Sequence, residues 1–130
     1  MEIGLFDHAP EARVGATVYR ALRDDADVRF VAIAPGAAYE VAYEDGDPDG
    51  SGGVVVIEPF AVPPGDDEGF LTAWREAHAA LAGRPGYLGA RLCRGVGSAD
   101  PRWIEIARWS SPLLFSRAGG RGALYLAIDE

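Results

Sequence analysis

What most limits how this chain can fold is a capped amphipathic helix set among strand-like runs between residues 54 and 109. The apolar run Val54-Val55-Val56-Ile57 reads as a strand and breaks at Glu58-Pro59. After Pro63-Pro64-Gly65 come Asp66, Asp67 and Glu68, three carboxylates where a helix dipole favours negative charge. Phe70, Leu71, Trp74, Ala77 and Leu81 then recur at helical period, so one face is built for burial. Gly83 marks the stop and Pro85 forbids continuation, which predicts a helix from about Asp66 to Ala82. Beyond the Arg84-Pro85-Gly86 turn, Leu88–Val96 and Arg102–Trp109 read as two more strands.

The remainder of the C-terminal part completes this pattern. Ser110-Ser111-Pro112 is an N-cap with proline at the first helical position, Leu113-Leu114-Phe115 a brief apolar helix, and Gly119-Gly120 its end. Leu124–Ile128 is a last strand. The order β-α-β-β-α-β is the ferredoxin-like plan, an α+β fold with a four-stranded antiparallel sheet and both helices on one face.

Residues 1–12 show no period and read as irregular. Val14–Leu22 and Val28–Ala34 form a hairpin by pattern around Arg23-Asp24-Asp25-Ala26-Asp27, and Tyr39–Glu44 is a third strand. Asp45-Gly46-Asp47-Pro48-Asp49-Gly50-Ser51-Gly52-Gly53 imitates the first half of a calcium loop. Its twelfth position is Val56 instead of the bidentate Glu such a loop needs, so it reads as a solvated acidic linker. Residues 1–50 are thus N-terminal strands with a linker, and 51–130 the ferredoxin-like domain. The two parts echo each other. Gly15–Arg20 lies over Gly89–Arg94, Ala26–Ala34 over Ala99–Ala107 with one residue deleted, and Val41-Ala42 over Leu126-Ala127. On this reading the first copy has lost its leading strand and helix.

Composition narrows the function classes. The net charge of −8 argues against a nucleic-acid partner, and no apolar run approaches the roughly 20 residues of a membrane span. Met1-Glu2-Ile3-Gly4 has neither the basic region nor the apolar core of a signal peptide, so a cytoplasmic protein is expected. One cysteine, Cys93, excludes an intrachain disulfide or a thiolate metal cluster, and His8 and His78 are too few for most histidine-rich metal sites. There is no Lys, Asn or Gln; all 12 basic residues are Arg. Side-chain carboxamides and amine nucleophiles are therefore missing from any site.

The string Pro59-Phe60, Pro63-Pro64-Gly65, Phe70, Trp74, Pro85-Gly86-Tyr87, Leu92, Ile104-Glu105-Ile106-Ala107-Arg108-Trp109-Ser110 and Phe115 resembles the antibiotic biosynthesis monooxygenase (ABM) domain over roughly residues 54–128. The resemblance implies ferredoxin-like domains that pair sheet against sheet as a dimeric α+β barrel. It also implies cofactor-independent monooxygenases of aromatic polyketides, quinol oxygenases or haem-degrading enzymes. A homodimer is expected, or an intrachain pseudo-dimer through the N-terminal strands.

The candidate catalytic residues are Glu58, His78 and Trp109. Alternation puts Trp103, Glu105, Ala107 and Trp109 on one strand face and Ile104, Ile106 and Arg108 on the other. By the resemblance, Trp109 is the strand-end tryptophan that lines the cavity of active members, where an indole can stack on a flat substrate; the alternative is a plain core residue. Glu58 stands where active members often carry asparagine. In an apolar cavity it can serve as a general base, and otherwise it is a rim carboxylate paired with Arg. His78, one turn after Trp74, is a base or a boundary residue. Haem is disfavoured, because the region where haem-degrading members place their ligand reads Phe115-Ser116-Arg117-Ala118. Trp74, Tyr87, Trp103 and Glu105 are candidate substrate-binding residues, while Arg91 and Cys93 share a strand face on which the thiol reads as a small hydrophobe.

These readings point to an oxygenase acting on a small aromatic polyketide or quinol-type molecule, with no metal, flavin or haem and with molecular oxygen as co-substrate. The alternatives are a non-redox polyketide cyclase or isomerase, and a non-catalytic small-molecule binding module on the same fold.

Overall fold

The computed structural model describes residues 1–11 and 15–128. Its elements are β1 (Glu2–Phe6), β2 (Thr17–Ala21), β3 (Phe30–Ala34), β4 (Tyr39–Gly46), β5 (Val54–Phe60), α1 (Asp67–Ala82), β6 (Tyr87–Gly95), β7 (Trp103–Trp109), α2 (Pro112–Arg117) and β8 (Leu124–Ala127). From β5 onward this is the expected ferredoxin-like order. Helix α1 begins with Asp67 and Glu68 in its first turn. In α2, the Ser111 hydroxyl accepts from the Leu114 N–H at 3.2 Å, supplying the N-cap that the sequence signals.

All eight strands form one antiparallel sheet in the order β1-β3-β2-β8-β5-β7-β6-β4. The sheet curls until its edge strands meet at one end, where Tyr39 N–H donates to the Met1 carbonyl at 2.8 Å and the Met1 nitrogen donates to the Tyr39 carbonyl at 2.7 Å. The order carries an internal symmetry. β1-β3-β2 repeats β5-β7-β6, and each half's fourth strand lies beside the other half's second: β8 on β2, β4 on β6. The sequence echo thus corresponds to a structural repeat, and the N-terminal strands extend the main sheet at both of its edges.

Alternation then divides the side chains into two layers. Ile3, Leu5, Tyr19, Ala21, Val31, Ile33, Tyr39, Val55, Ile57, Cys93, Ile104, Ile106 and Tyr125 gather inside the curl. Burial pushes the Cys93 thiol up to about 11, so it sits there as a small hydrophobe. The opposite face of β5, β6 and β7 meets the helices, through Val54, Val56, Ala90, Ala107 and Trp109 against Phe115 and Leu81, and through Leu92 and Trp103 against Phe70, Leu71 and Trp74.

Three expectations are corrected. Residues 1–12 are not irregular throughout, because Glu2–Phe6 is a strand paired with β3. Five residues interrupted by Gly4 are too few to show a period, and the strand exists through its partner. The first copy has therefore kept its leading strand; among the described residues it lacks helices. The linker also begins later than the sequence suggests, since β4 runs through Asp45 and Gly46. Gly46, at φ +59, lies where a Cβ would strike the Leu88 carbonyl, so the chain turns tightly against β6 there. The acidic stretch beyond it is strapped down: Arg91 holds Asp49 at 2.6 Å, and Arg108 donates to the carbonyls of Asp47 and Ser51. Val14 lies outside the described residues, as does the rest of 12–14. Among the described residues no helix is long and apolar enough to cross a membrane.

Candidate functional site

A cavity of about 430 Å³ lies between α1 and the helix-facing side of β5, β6 and β7, closed at one end by Phe115 and the Gly119–Gly122 turn. Its position follows from the two periods. Residues i and i+4 of α1 place Trp74 and His78 over the sheet, while every second residue of β5 and β7 places Glu58 and Phe60, and Glu105, Ala107 and Trp109, beneath them.

The cavity brings together Glu58, Trp74, His78, Tyr87, Glu105 and Trp109. Trp103 does not reach it. That indole packs on Phe70 at 5.0 Å between centroids and donates its N–H to Asp67 at 3.0 Å, which makes it a support for the start of α1. Trp109, 1% exposed, is both a core residue and a wall of the cavity, edge-on to Tyr87 at 5.5 Å and to Phe115 at 5.4 Å.

Two carboxylates face each other on the sheet. Glu58 and Glu105 are direct partners across the β5–β7 ladder, a placement that sets like charges side by side. Burial, and then the Glu105 charge, push the Glu58 carboxyl above its usual range. Burial raises Glu105 as well, against the opposing hydrogen bond from the Trp74 indole at 2.5 Å. Among the described residues Glu58 has no ion pair, so the rim carboxylate paired with Arg is not what the structure holds; Arg121 lines the cavity without bonding it.

On the helix side, His78 stacks flat on Trp74, with ring centroids 4.6 Å apart and planes 7° from parallel. Its Nε2 lies 2.8 Å from Asp45 Oδ2, and the same carboxylate accepts the hydroxyls of Tyr43, at 2.7 Å, and Tyr87. Burial pushes Asp45 up, but the hydrogen bonds from Tyr87, His78 and Tyr43 outweigh it and hold the carboxyl below its ordinary value. Burial and the Asp45 hydrogen bond raise Tyr87 well above a free phenol, so it remains a donor. Asp45 and Tyr43 join these candidates only in the structure: Asp45 opens an acidic stretch that reads as linker, and Tyr43, within a predicted strand, carries no motif. Past the bulge between Val41 and Tyr43, alternation places Asp45 on the same face as Tyr43; plain alternation from Tyr39, which faces the interior, does not foresee that face. Among the described residues no group of His, Cys, Asp and Glu is arranged to hold a metal ion.

Comparison with known proteins agrees with this architecture. Residues 53–112 match the family model described as antibiotic biosynthesis monooxygenase. No curated protein matches the sequence. Among solved structures, a heme-degrading enzyme from Listeria monocytogenes superposes with a TM-score of 0.55 at 20% identity, covering 82% of this chain and 67% of that one. A monooxygenase-like protein from Listeria innocua gives 0.57 at 16%, covering 78% of this chain and 61% of its own. A ferredoxin-fold protein from Listeria monocytogenes, described as uncharacterized and related to antibiotic biosynthesis monooxygenases, gives 0.55 at 16%, covering 92% and 83%. At these identities the likeness is one of fold, and coverage of 78–92% takes in N-terminal strands as well as the C-terminal part. The stretch that matches the antibiotic biosynthesis monooxygenase model, residues 53–112, supplies β5, α1, β6 and β7 and with them Glu58, His78, Glu105 and Trp109.

Proposed function

We propose that this protein is a monooxygenase that needs no metal, flavin or haem and oxidises a flat, electron-rich phenol of the anthrone or quinol type. The observation that carries this reading is the Glu58–Glu105 pair, two raised carboxyls opposed on the floor of a cavity walled by Trp74, Tyr87, Trp109 and Phe115. Aromatic walls suit a flat ring, and a carboxylate whose proton affinity is raised is a better base toward a phenol.

For an anthrone-type ring the steps balance with one base. In the enol tautomer the reacting CH₂ carbon has passed one hydrogen to the ring oxygen; Glu58 takes that hydroxyl proton, leaving a delocalised anion in which the carbon carries one hydrogen. One electron passes from this anion to dioxygen, and recombination forms a C–O bond at the ring carbon that becomes the carbonyl. The peroxide anion takes its proton back from Glu58. Glu58 next removes the remaining hydrogen on that carbon; its electron pair forms the C=O bond, the O–O bond breaks, and hydroxide leaves with the proton as water. A CH₂ and O₂ thus become a C=O and H₂O, with every electron supplied by the substrate. Trp109 holds the ring by stacking, and Glu105, anchored by Trp74, keeps the Glu58 proton affinity high.

The residues do not suit haem. Nε2 of His78 is occupied by Asp45 and its ring is stacked on Trp74, while α2 carries no histidine. Purified protein is expected to show no Soret or flavin band and no stoichiometric metal; a band that survives desalting overturns this.

The test is dioxygen uptake with an anthrone- or quinol-type substrate. Stoichiometric uptake with quinone formation is expected. The same carboxylates support a second reading, a cyclase or isomerase that moves protons only, and product formation without oxygen uptake favours it. A ligand bound without turnover points to a binding module.

A further inference from the structure

His78 is held from outside the stretch that matches the family model. Asp45 is the last residue but one of β4, a strand of the half without helices among the described residues, and β4 lies against β6 so that the Asp45 carboxylate meets α1 from the side. Three groups converge on it: His78 Nε2 at 2.8 Å, the Tyr43 hydroxyl at 2.7 Å and the Tyr87 hydroxyl. An ionised carboxylate only accepts, so Nε2 carries the proton in this contact and the lone pair of the neutral ring lies on Nδ1. Nδ1 has no hydrogen-bond partner among the described residues, and the ring plane is fixed by Trp74 on its face and by Tyr43 and Tyr87 edge-on.

We propose that Asp45 is a positioning residue: it fixes His78 as the Nε2–H tautomer and thereby gives the cavity a second proton acceptor, Nδ1, in a site that both halves of the chain must complete. Glu58 lies on the sheet side and His78 on the helix side of one cavity, and the proposed oxidation takes two protons from its substrate in turn. The catalytic use of His78 rests on that reaction; the tautomer does not.

The test joins a spectroscopic and a kinetic measurement. Long-range ¹H–¹⁵N spectra of histidine-labelled protein, with His8→Ala to assign the two rings, are expected to show neutral His78 protonated at Nε2 with a slowly exchanging imidazole proton. Asp45→Ala loses that proton signal. In Asp45→Asn, of nearly equal size, kcat falls about 10²-fold with KM little changed, the scale of a misplaced catalytic group. Asp45→Glu recovers part of the loss. A wild-type Nδ1–H tautomer, or an Asp45→Asn variant that keeps both the protected proton and kcat, overturns the proposal. If wild-type protein shows the Nε2–H pattern but oxidises no phenol, the positioning of His78 stands and the proposed reaction falls.

Discussion

The two halves of this molecule share one strand plan and differ in what covers it. Each has a first, third and second strand side by side and lends its fourth strand to the other's edge. The inner faces meet in a common interior. The outer face of β5, β7 and β6 is roofed by α1 and α2, and the cavity lies under that roof. The outer face of β1, β3 and β2 has no helix among the described residues and is finished with few side chains: Phe6, Phe30 and Arg20 in one cross-strand row, then Gly4, Ala32 and Val18. The interior therefore makes the fold, while the helical layer makes the site. The half without helices supplies half of the interior and, through Asp45, one clamp on the cavity.

The largest test removes that half. Deleting residues 1–50 strips Val31, Tyr39 and their neighbours from Ile57, Cys93, Ile104, Ile106 and Tyr125. A bare apolar sheet face of this kind rarely stays in water, so aggregated or newly oligomeric protein is expected in light scattering. Truncated protein that stays soluble, with the parent's oligomeric state and melting temperature, would show that the half is only an appendage.

A pair of substitutions on one strand separates the layers. Ile104 faces the interior, fully buried; Trp109 faces the cavity. Ile104→Ala should cost about 2–5 kcal/mol in denaturant unfolding, from lost transfer energy and the void left behind. Trp109→Phe keeps an aromatic ring in the core, so it should keep the fold while weakening substrate binding or turnover. If Trp109→Phe turns over like the parent, the stacking wall has been misplaced.

The same division explains what could be read in the sequence. β5, α1, β6, β7, α2 and β8 were legible because each has its own period, cap or proline. Those periods give the faces of Glu58, His78 and Trp109; the resemblance to the antibiotic biosynthesis monooxygenase domain is what singles out Glu58 and Trp109 on them. β1 was not legible, because a five-residue strand with Gly4 at its centre is specified by β3 and not by its own pattern. Asp45 was hidden by composition, since a carboxylate followed by Gly, Asp and Pro reads as solvent-facing until β4 is extended along β6. Trp103 has the alternation of a cavity residue, and only the position of Asp67 at the start of α1 turns its N–H away.

Glu58→Gln pits activity against stability. Burial and the facing Glu105 charge raise the Glu58 carboxyl in the folded state. The folded protein thus holds that proton more tightly than the unfolded chain, and stability is lost as pH rises from the ordinary glutamate value through the raised one. The neutral amide removes this loss, so the variant should melt higher than the parent at pH 7, equal it well below pH 4, and turn over more slowly at neutral pH. A variant that melts no higher than the parent at pH 7 would show that the carboxylate pair is not the source of the loss.

The smallest effect is expected at the strap that joins the halves. Asp49 is 70% exposed and meets Arg91 through both oxygens, at 2.9 and 2.6 Å. The hydrogen bond from Arg91, opposed by partial burial, holds the Asp49 carboxyl below its ordinary value. For a lowered acid the sign reverses: its contribution is present above the ordinary aspartate value and is lost as pH falls through the lowered one. Solvent screens so exposed a pair, and Arg91 keeps Glu44 at 2.9 Å, so Asp49→Asn should cost only about 0–1 kcal/mol near pH 7. The difference between variant and parent should shrink to nothing in strong acid, where both side chains are neutral. A cost of several kcal/mol at pH 7, persisting in acid, would make the strap a structural tie between the halves and move the seat of their association from the shared interior to the surface.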